Sequence, residues 1–428
     1  MSDASRPSDP NVRCTTLDSG LTVVTEFMPG SLSVTTGVWV GIGSRDEVPA
    51  QSGCSHFLEH LLFKGTPTRS PLDIAQAIDA VGGEMNAYTT KEVTTFYTRT
   101  VAEDAALSLD ILCDIVRNPA LRDADVDSER QVILEEIAMR ADEPADLVHD
   151  IVHEQRFGDH GLGRDTAGTV ETVTGTTANH IRTFMDATYG PSTIVVAAAG
   201  NVDHDATVAQ VASQMDRSAA AQPPRHAPKH SPMPLRVVEE DTEQAHIVVS
   251  LDGMARNDPD RFAFALLDHI VGGGMSSRLF HEIREKRGLV YTVYSYRASY
   301  EDAGFFGVYA GTAPQRTIEV LDLIADEFDR LRAYGVADDE LRRAKSSVRG
   351  GTALGLEDSG ARMSRIGRTR LLFGEVPPIE WVLGQTEAVT TADIDRVIAR
   401  FFRSPSVLSV VGPVSAADLH GHRLLQPA

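Results

Sequence analysis

At 428 residues with 42% hydrophobic side chains, the chain exceeds the roughly 250–300 residues over which a single core usually grows, so two units of roughly 200 residues each are expected. A formal charge of −21 disfavours nucleic acid and anionic membrane surfaces as partners, favours solubility, and would draw basic peptides into an enclosed cleft. The polar opening MSDASRPSDPNVRC resembles no signal peptide, no stretch reaches the about 18 apolar residues of a membrane span, and Cys14, Cys54 and Cys113 form no CxxC pattern, so a cytoplasmic, reducing setting is expected.

In chain order, the first distinctive segment is SGCSHFLEHLLFKGT, where His56, Glu59 and His60 interrupt an apolar helical pattern. In EMNAYTTKEVTTFY the alternation after Asn86 predicts a strand. TTFYTRTVAEDAALSLDILCDIVRNPALRDADVDSERQVI then predicts a strand, a long helix, a turn and a further helix. VETVTGTTANHIRTFMDATYGPSTIVVAAAGNV predicts a polar helix start, a helix, a turn with proline and an apolar strand. Across 216–234, Ala, Pro, Ser and His displace all periodicity; this reads as a linker between a domain at 1–215 and another at 235–428.

The second half repeats the first. GFFGVYAGTAPQRTIEVLDLIADEFDRLRAYGVADDELRRAKSSV follows the strand–helix–turn–helix order of the earlier segment, and TEAVTTADIDRVIARFFRSPSVLSVVGPV follows its helix–turn–strand close. Strands and helices mix without strict βαβ alternation, so the expected class is α+β. Aligning HFLEHLLF with FALLDHIVGG sets His60 on His269, Glu59 on Asp268 and His56 on Ala265. Only the first copy keeps both histidines, so the helix does not need them for its own stability.

His56 and His60 are one helical turn apart and can reach one metal ion from the same face, a geometry that suits zinc. Glu59 lies beside that face, where a base for the attacking water must sit; the pattern is the HxxEH of inverted zincins. A catalytic zinc needs a third protein ligand, and DADVDSERQVILEEIAM supplies candidates. At about 100° per residue, Glu129 and Glu136 fall within about 20° of each other, flanked by Val132 and Ile133, while Glu135 points about 100° away from Glu136. A carboxylate on an apolar helix face is costly without a partner. The corresponding ELRRAKSSVRGG has no acidic residue at the matching place. His149 and His153 share the one-turn spacing but lack a base in the motif position, and are expected to be surface or supporting helix histidines. His226 and His230 in the linker are expected to be solvated, and Cys54 a small buried thiol.

These residues resemble the zinc signature of the pitrilysin family, most closely its shorter branch, which includes the β subunit of mitochondrial processing peptidase and bacterial relatives. TLDSGLTVVTE, GGEMNAYTTKEVTTFYTRT and GGGMSSRLFHEIREKRGLVYTVYSY extend the likeness over nearly the whole chain. The resemblance implies two homologous α+β domains facing each other across a peptide-binding chamber, and one zinc ion per chain. It makes His56, His60 and Glu136 the ligands, Glu59 the general base and Glu129 their support. It also sets Asn86 and Ala87 against the backbone of an extended substrate, which pairs with the strand edge. Arg284 and Tyr291 match the family's pair for gripping substrate carbonyls and stabilising the oxyanion; from chemistry alone Tyr291 is equally readable as a strand-core aromatic. The implied function is a zinc endopeptidase acting on extended peptides or unfolded segments, working as a homodimer whose sites are completed in trans. The alternative is a noncatalytic peptide-binding or assembly subunit of the same fold, although the long glycine-rich loop of the noncatalytic processing-peptidase subunit is absent.

Overall fold

The computed structural model describes residues 9–215, 219–229 and 232–426. The chain forms two α+β units, each built on one mixed sheet. The first sheet contains β1 (Val12–Thr16), β2 (Thr22–Phe27), β3 (Ser33–Val40), β4 (Glu84–Thr89), β5 (Thr94–Val101) and β6 (Ile194–Gly200), in the order β1-β2-β6-β3-β5-β4. Only β2 and β6 pair in parallel within it. Every residue of β6 is buried because helices cover both faces at the sheet centre, which explains its unbroken apolar run IVVAAAG.

The helices of the first half are α1 (Cys54–Leu62), α2 (Pro71–Asp79), α3 (Ala105–Arg117), α4 (Asp123–Ala141), α5 (Pro144–Phe157), α6 (Val170–Gly175), α7 (Ala178–Thr188) and α8 (His204–Gln214). Phe57 and Leu61 of α1, Ile111 and Leu112 of α3 and Ile181 of α7 join Val38, Phe96 and Val196 of the sheet in one core. The second sheet contains β7 (Leu235–Glu239), β8 (Ala245–Asp252), β9 (Val290–Ser299), β10 (Gly304–Thr312) and β11 (Val407–Gly412), in the order β7-β11-β8-β10-β9. Its order reproduces β2-β6-β3-β5-β4 strand for strand, so the repeat in the sequence is a repeat in topology. The second half also carries α9 (Arg261–Gly272), α10 (Thr317–Tyr334), α11 (Asp338–Gly355), α12 (Ser359–Phe373), α13 (Ile379–Ala388), α14 (Thr391–Phe401) and α15 (Ala416–Leu419).

The units do not follow a contiguous division into 1–215 and 235–428. The first comprises Met1–Ile137, Arg164–Arg225 and Thr352–Trp381; the second comprises Ala138–Gly163, His226–Gly351 and Val382–Ala428. Each sheet has a second apolar face, and a helix from the other half of the sequence covers it. On the first, Met363 and Ile366 of α12 join Val24, Trp39 and Ala197, and Trp39 Nε1 donates to Met363 Sδ at 3.2 Å. On the second, Val148, Ile151 and Val152 of α5 join Val248, Phe305 and Val411. Buried polar partners fix both placements: Glu26 pairs with Arg362 and Arg365, and Arg156 pairs with Asp252.

The predicted linker is also partly structural. Gln222 Nε2 donates to Gly41 O at 3.0 Å, and the buried Arg225 guanidinium pairs with Asp46 at 2.7 Å. A solvated coil does not describe this stretch, because Arg225 supplies a counter-charge to a fully buried aspartate. His226 is exposed, as expected of a solvated residue, and His230 lies outside the described residues. Cys54 is a buried free thiol, also as expected. No helix among the described residues is long and apolar enough to cross a membrane.

Candidate metal centre

Helix α1 buries Phe57, Leu58, Leu61 and Leu62 against the sheet, which leaves His56, Glu59 and His60 on its open side. The helix starts at Gly53, whose φ of 93° is left-handed; a Cβ there would meet Ala167 O at 2.5 Å, so only glycine fits. Gly53 has no side chain to cap the helix. The cap comes from the buried Glu47, which accepts from Gly53 N at 2.8 Å and Ser55 N at 2.6 Å. Burial pushes the Glu47 carboxyl up to about 7, against the pull of those N–H donors and of Arg164.

Helix α4 brings its carboxylates to the histidines. Glu136 Oε2 stands 3.7 Å from His56 Nε2 and 3.6 Å from His60 Nε2, and one donor atom from each of the three residues lies within 4.8 Å of the others. Tetrahedral zinc with bonds of about 2.0–2.1 Å spaces its ligand atoms about 3.3–3.4 Å apart. The three side chains therefore fit a zinc ion with only small movements. Glu129 is buried behind them: its Oε2 lies 3.0 Å from His60 Nδ1, and its Oε1 is 2.5 Å from Lys64 Nζ. Such a carboxylate orients the imidazole and raises its basicity as a ligand. Glu135 is exposed, as the helical phase requires. Val132 is exposed as well, so the expected flank for the carboxylates is wrong there; the inward stripe is Val126, Glu129 and Ile133.

Glu59 stays outside the three-residue cluster. Its Oε2 accepts from Thr89 Oγ1 at 2.5 Å, and burial raises its pKa above the ordinary carboxylate value. Thr89 closes β4, one of the two edge strands of the first sheet. Thr90 N donates to Val93 O at 2.8 Å in the β4–β5 turn, and Tyr88, Asn86 and Glu84 pair with Thr95, Tyr97 and Arg99 in the same register. Because antiparallel pairs alternate, the N–H groups of Met85, Ala87 and Thr89 point away from β5, towards the open edge. The Asn86 side chain accepts from the Ala87 N–H at 2.8 Å.

Arg284 and Tyr291 belong to the second unit. Arg284 lies in a π-helical stretch, Phe280–Glu285, and its guanidinium stands 4.7 Å from the Phe280 ring centroid and 5.0 Å from that of Tyr291. Tyr291 is 76% exposed, which rules out the core-aromatic alternative. His149 and His153 are half-buried rather than surface groups, and both are taken up by tyrosines. His149 bonds the hydroxyls of Tyr296 and Tyr294 at 3.0 and 3.1 Å, and His153 bonds that of Tyr300 at 2.8 Å. Burial lowers the His149 pKa, and its ring stacks on Tyr309. These histidines satisfy tyrosines under α5.

Lys64, Thr89 and Glu47 were not legible as site residues. Lys64 follows His60 by one helical turn and could have been suspected, whereas Thr89 and Glu47 reach α1 only through tertiary structure.

Comparison with known proteins agrees with this architecture. Residues 22–170 match Insulinase (Peptidase family M16), and residues 176–348 match the Peptidase M16 inactive domain. An uncharacterized zinc protease of Streptomyces coelicolor is 48% identical over 423 residues, covering 96% of this chain and 92% of that protein. One from Mycobacterium tuberculosis is 44% identical over 418 residues, covering 95% of each. The crystal structure of a protease from Helicobacter pylori superposes with a TM-score of 0.89 at 22% identity, over 94% of this chain and all (100%) of that one. A structure described as the peptidase M16 inactive domain from Pseudomonas fluorescens gives 0.86 at 21% identity, over 95% and 99%. With a paired sheet repeat, a histidine–carboxylate cluster on the first copy and relatives of this identity over almost its full length, the chain belongs to peptidase family M16.

Proposed function

We propose that the chain is a zinc endopeptidase that cleaves extended peptides or unfolded segments in the manner of a processing peptidase, with one zinc ion per chain held by His56, His60 and Glu136. The observation that carries this reading is the convergence of those three donors, with Glu59 close by but outside the cluster. Zinc bound there would supply a Lewis acid for the scissile carbonyl and acidify the attacking water. Thr89 holds Glu59 by Oε2, so its carboxylate is aimed to take a proton from water and deliver it to the leaving amine. Glu129 and Lys64 keep the His60 imidazole oriented.

The outward N–H groups of β4 support backbone pairing with an extended substrate, a mode that tolerates varied side chains. The charge of −21 favours basic peptides. Arg284 and Tyr291 would grip substrate carbonyls and stabilise the oxyanion. We propose further that the protein acts as a homodimer in the cytoplasm, the zinc of one subunit working with Arg284 and Tyr291 of the other.

Glu59→Gln tests the reading. The variant should retain zinc by elemental analysis while peptide hydrolysis falls about 100-fold or more, because the base is lost and the ligands are not. Zinc lost together with activity would make Glu59 a ligand. A wild-type chain that binds peptide without cleaving it would favour the noncatalytic alternative.

A further inference from the structure

We propose that Glu47 is a positioning residue for the metal centre: its buried carboxylate holds the first turn of α1 and offsets the positive end of that helix beside His56. The inference rests on the metallopeptidase reading and adds a residue remote from the cluster.

Four N–H groups at the start of an α-helix have no intrahelical partner, and here they belong to Gly53, Cys54, Ser55 and His56. Glu47 takes two of them, one from each carboxylate oxygen. His56 sits in this same first turn, so fraying there would swing one metal donor away from the other two. The aligned peptide dipoles also leave roughly half a positive charge at that end, which repels a cation held by His56. A carboxylate on the N–H groups cancels it without contributing a ligand. The place is closely built: Glu47 is 4% exposed, Arg164 donates to its backbone carbonyl, and Gly53 and Gly168 interlock so tightly that a Cβ on either would strike backbone at 2.5 Å.

The other copy of the repeat is an internal control. Helix α9, which carries no histidine pair, starts at Asp260, whose side chain makes no cap hydrogen bond. Asp258, two residues before it, accepts from Asp260 N at 2.9 Å, and Asp258 and Asp260 pair with the surface arginines Arg400 and Arg396. The buried cap belongs to the copy equipped for metal.

The test compares full-length wild type, Glu47→Gln, Glu47→Asp and a control, Glu26→Gln, at pH 8. Glu26 is equally buried on β2 and ion-paired to Arg362 and Arg365, away from α1. Zinc affinity is measured by competition with a chelator, hydrolysis with a fluorogenic peptide that the wild type cleaves, and stability by thermal unfolding. Glu47→Gln should weaken zinc binding about 10-fold or more and lower kcat with little change in KM, while Glu26→Gln loses comparable stability and keeps zinc. Glu47→Asp keeps the charge but lacks the reach to bridge both N–H groups, should fall between, and decides the matter if Glu47→Gln does not fold. Unchanged zinc affinity in the Glu47 variants, or an equal loss in Glu26→Gln, overturns the role. A wild-type chain that binds no zinc instead overturns the metallopeptidase reading beneath it.

Discussion

Two neighbouring carboxylates show how finely the site is drawn at the scale of single residues. Glu135 and Glu136 are adjacent, yet only Glu136 turns towards His56 and His60. Glu136→Gln should weaken zinc binding strongly and Glu135→Gln leave it nearly unchanged in the same chelator competition; equal effects would refute the ligand assignment. Glu47 gives a pH signature. Its folded pKa of about 7 lies above the ordinary 4.5, so the folded chain keeps a proton that the unfolded chain releases between those values. The stability tied to that proton is fully present below pH 4.5 and is lost as pH rises through 7. Relative to Glu47→Gln, which cannot titrate, the wild type should lose up to about 3 kcal/mol of unfolding free energy between pH 5 and pH 8. Denaturant melts of both proteins across that range measure the difference, and a flat one would contradict the shift.

At the scale of elements, β4 is built to be an edge, and its pairing register separates the donors that hold the sheet from those left open. The Ala87 N–H faces the open edge, where the Asn86 side chain accepts from it, so Ala87→Pro should preserve the β5 ladder while removing a donor that an incoming strand would take over from Asn86. Peptide hydrolysis should fall at least about 10-fold in kcat/KM, with thermal unfolding shifted by only a few degrees. Cleavage at the wild-type rate would mean that substrate does not pair at this position. Helix α5 teaches a different lesson. Its two histidines have the spacing of a metal pair, but hydroxyls of Tyr294, Tyr296 and Tyr300 occupy their ring nitrogens. Spacing offers a site, and neighbours decide whether it becomes one.

On the scale of the whole molecule, one repeat has diverged into an equipped copy and an unequipped one. His56 and Glu59 correspond to Ala265 and Asp268, while Arg284 and Tyr291 stand in the other unit. If two chains complete each other's sites, an inactive Glu59→Gln chain and an inactive chain carrying Arg284→Ala and Tyr291→Phe should restore activity on co-expression. Random pairing makes half of the dimers mixed, each with one intact site, so about a quarter of wild-type activity is expected. Mixed dimers that form and stay inactive would place the whole site within one chain.

The sequence alone determined the α+β class, the internal repeat and the shared face of His56 and His60, because these depend on local periodicity, whereas Glu136 joined them by the family resemblance and meets them only through the packing of α4. A helical turn puts His56 over His60, and the same 100° step selects Glu136 over Glu135. Val132 shows the limit of that reasoning, since phase names a direction but not what lies there. Only the tertiary structure decided that α5 and α12 cross to the other half's sheet, for each sheet's second apolar face must be covered and no periodicity says by which helix. It alone set Lys64 behind Glu129, Thr89 on Glu59 and Glu47 on the start of α1. Those contacts join segments separated in the chain, and a buried polar group shows what it needs only when its surroundings are known.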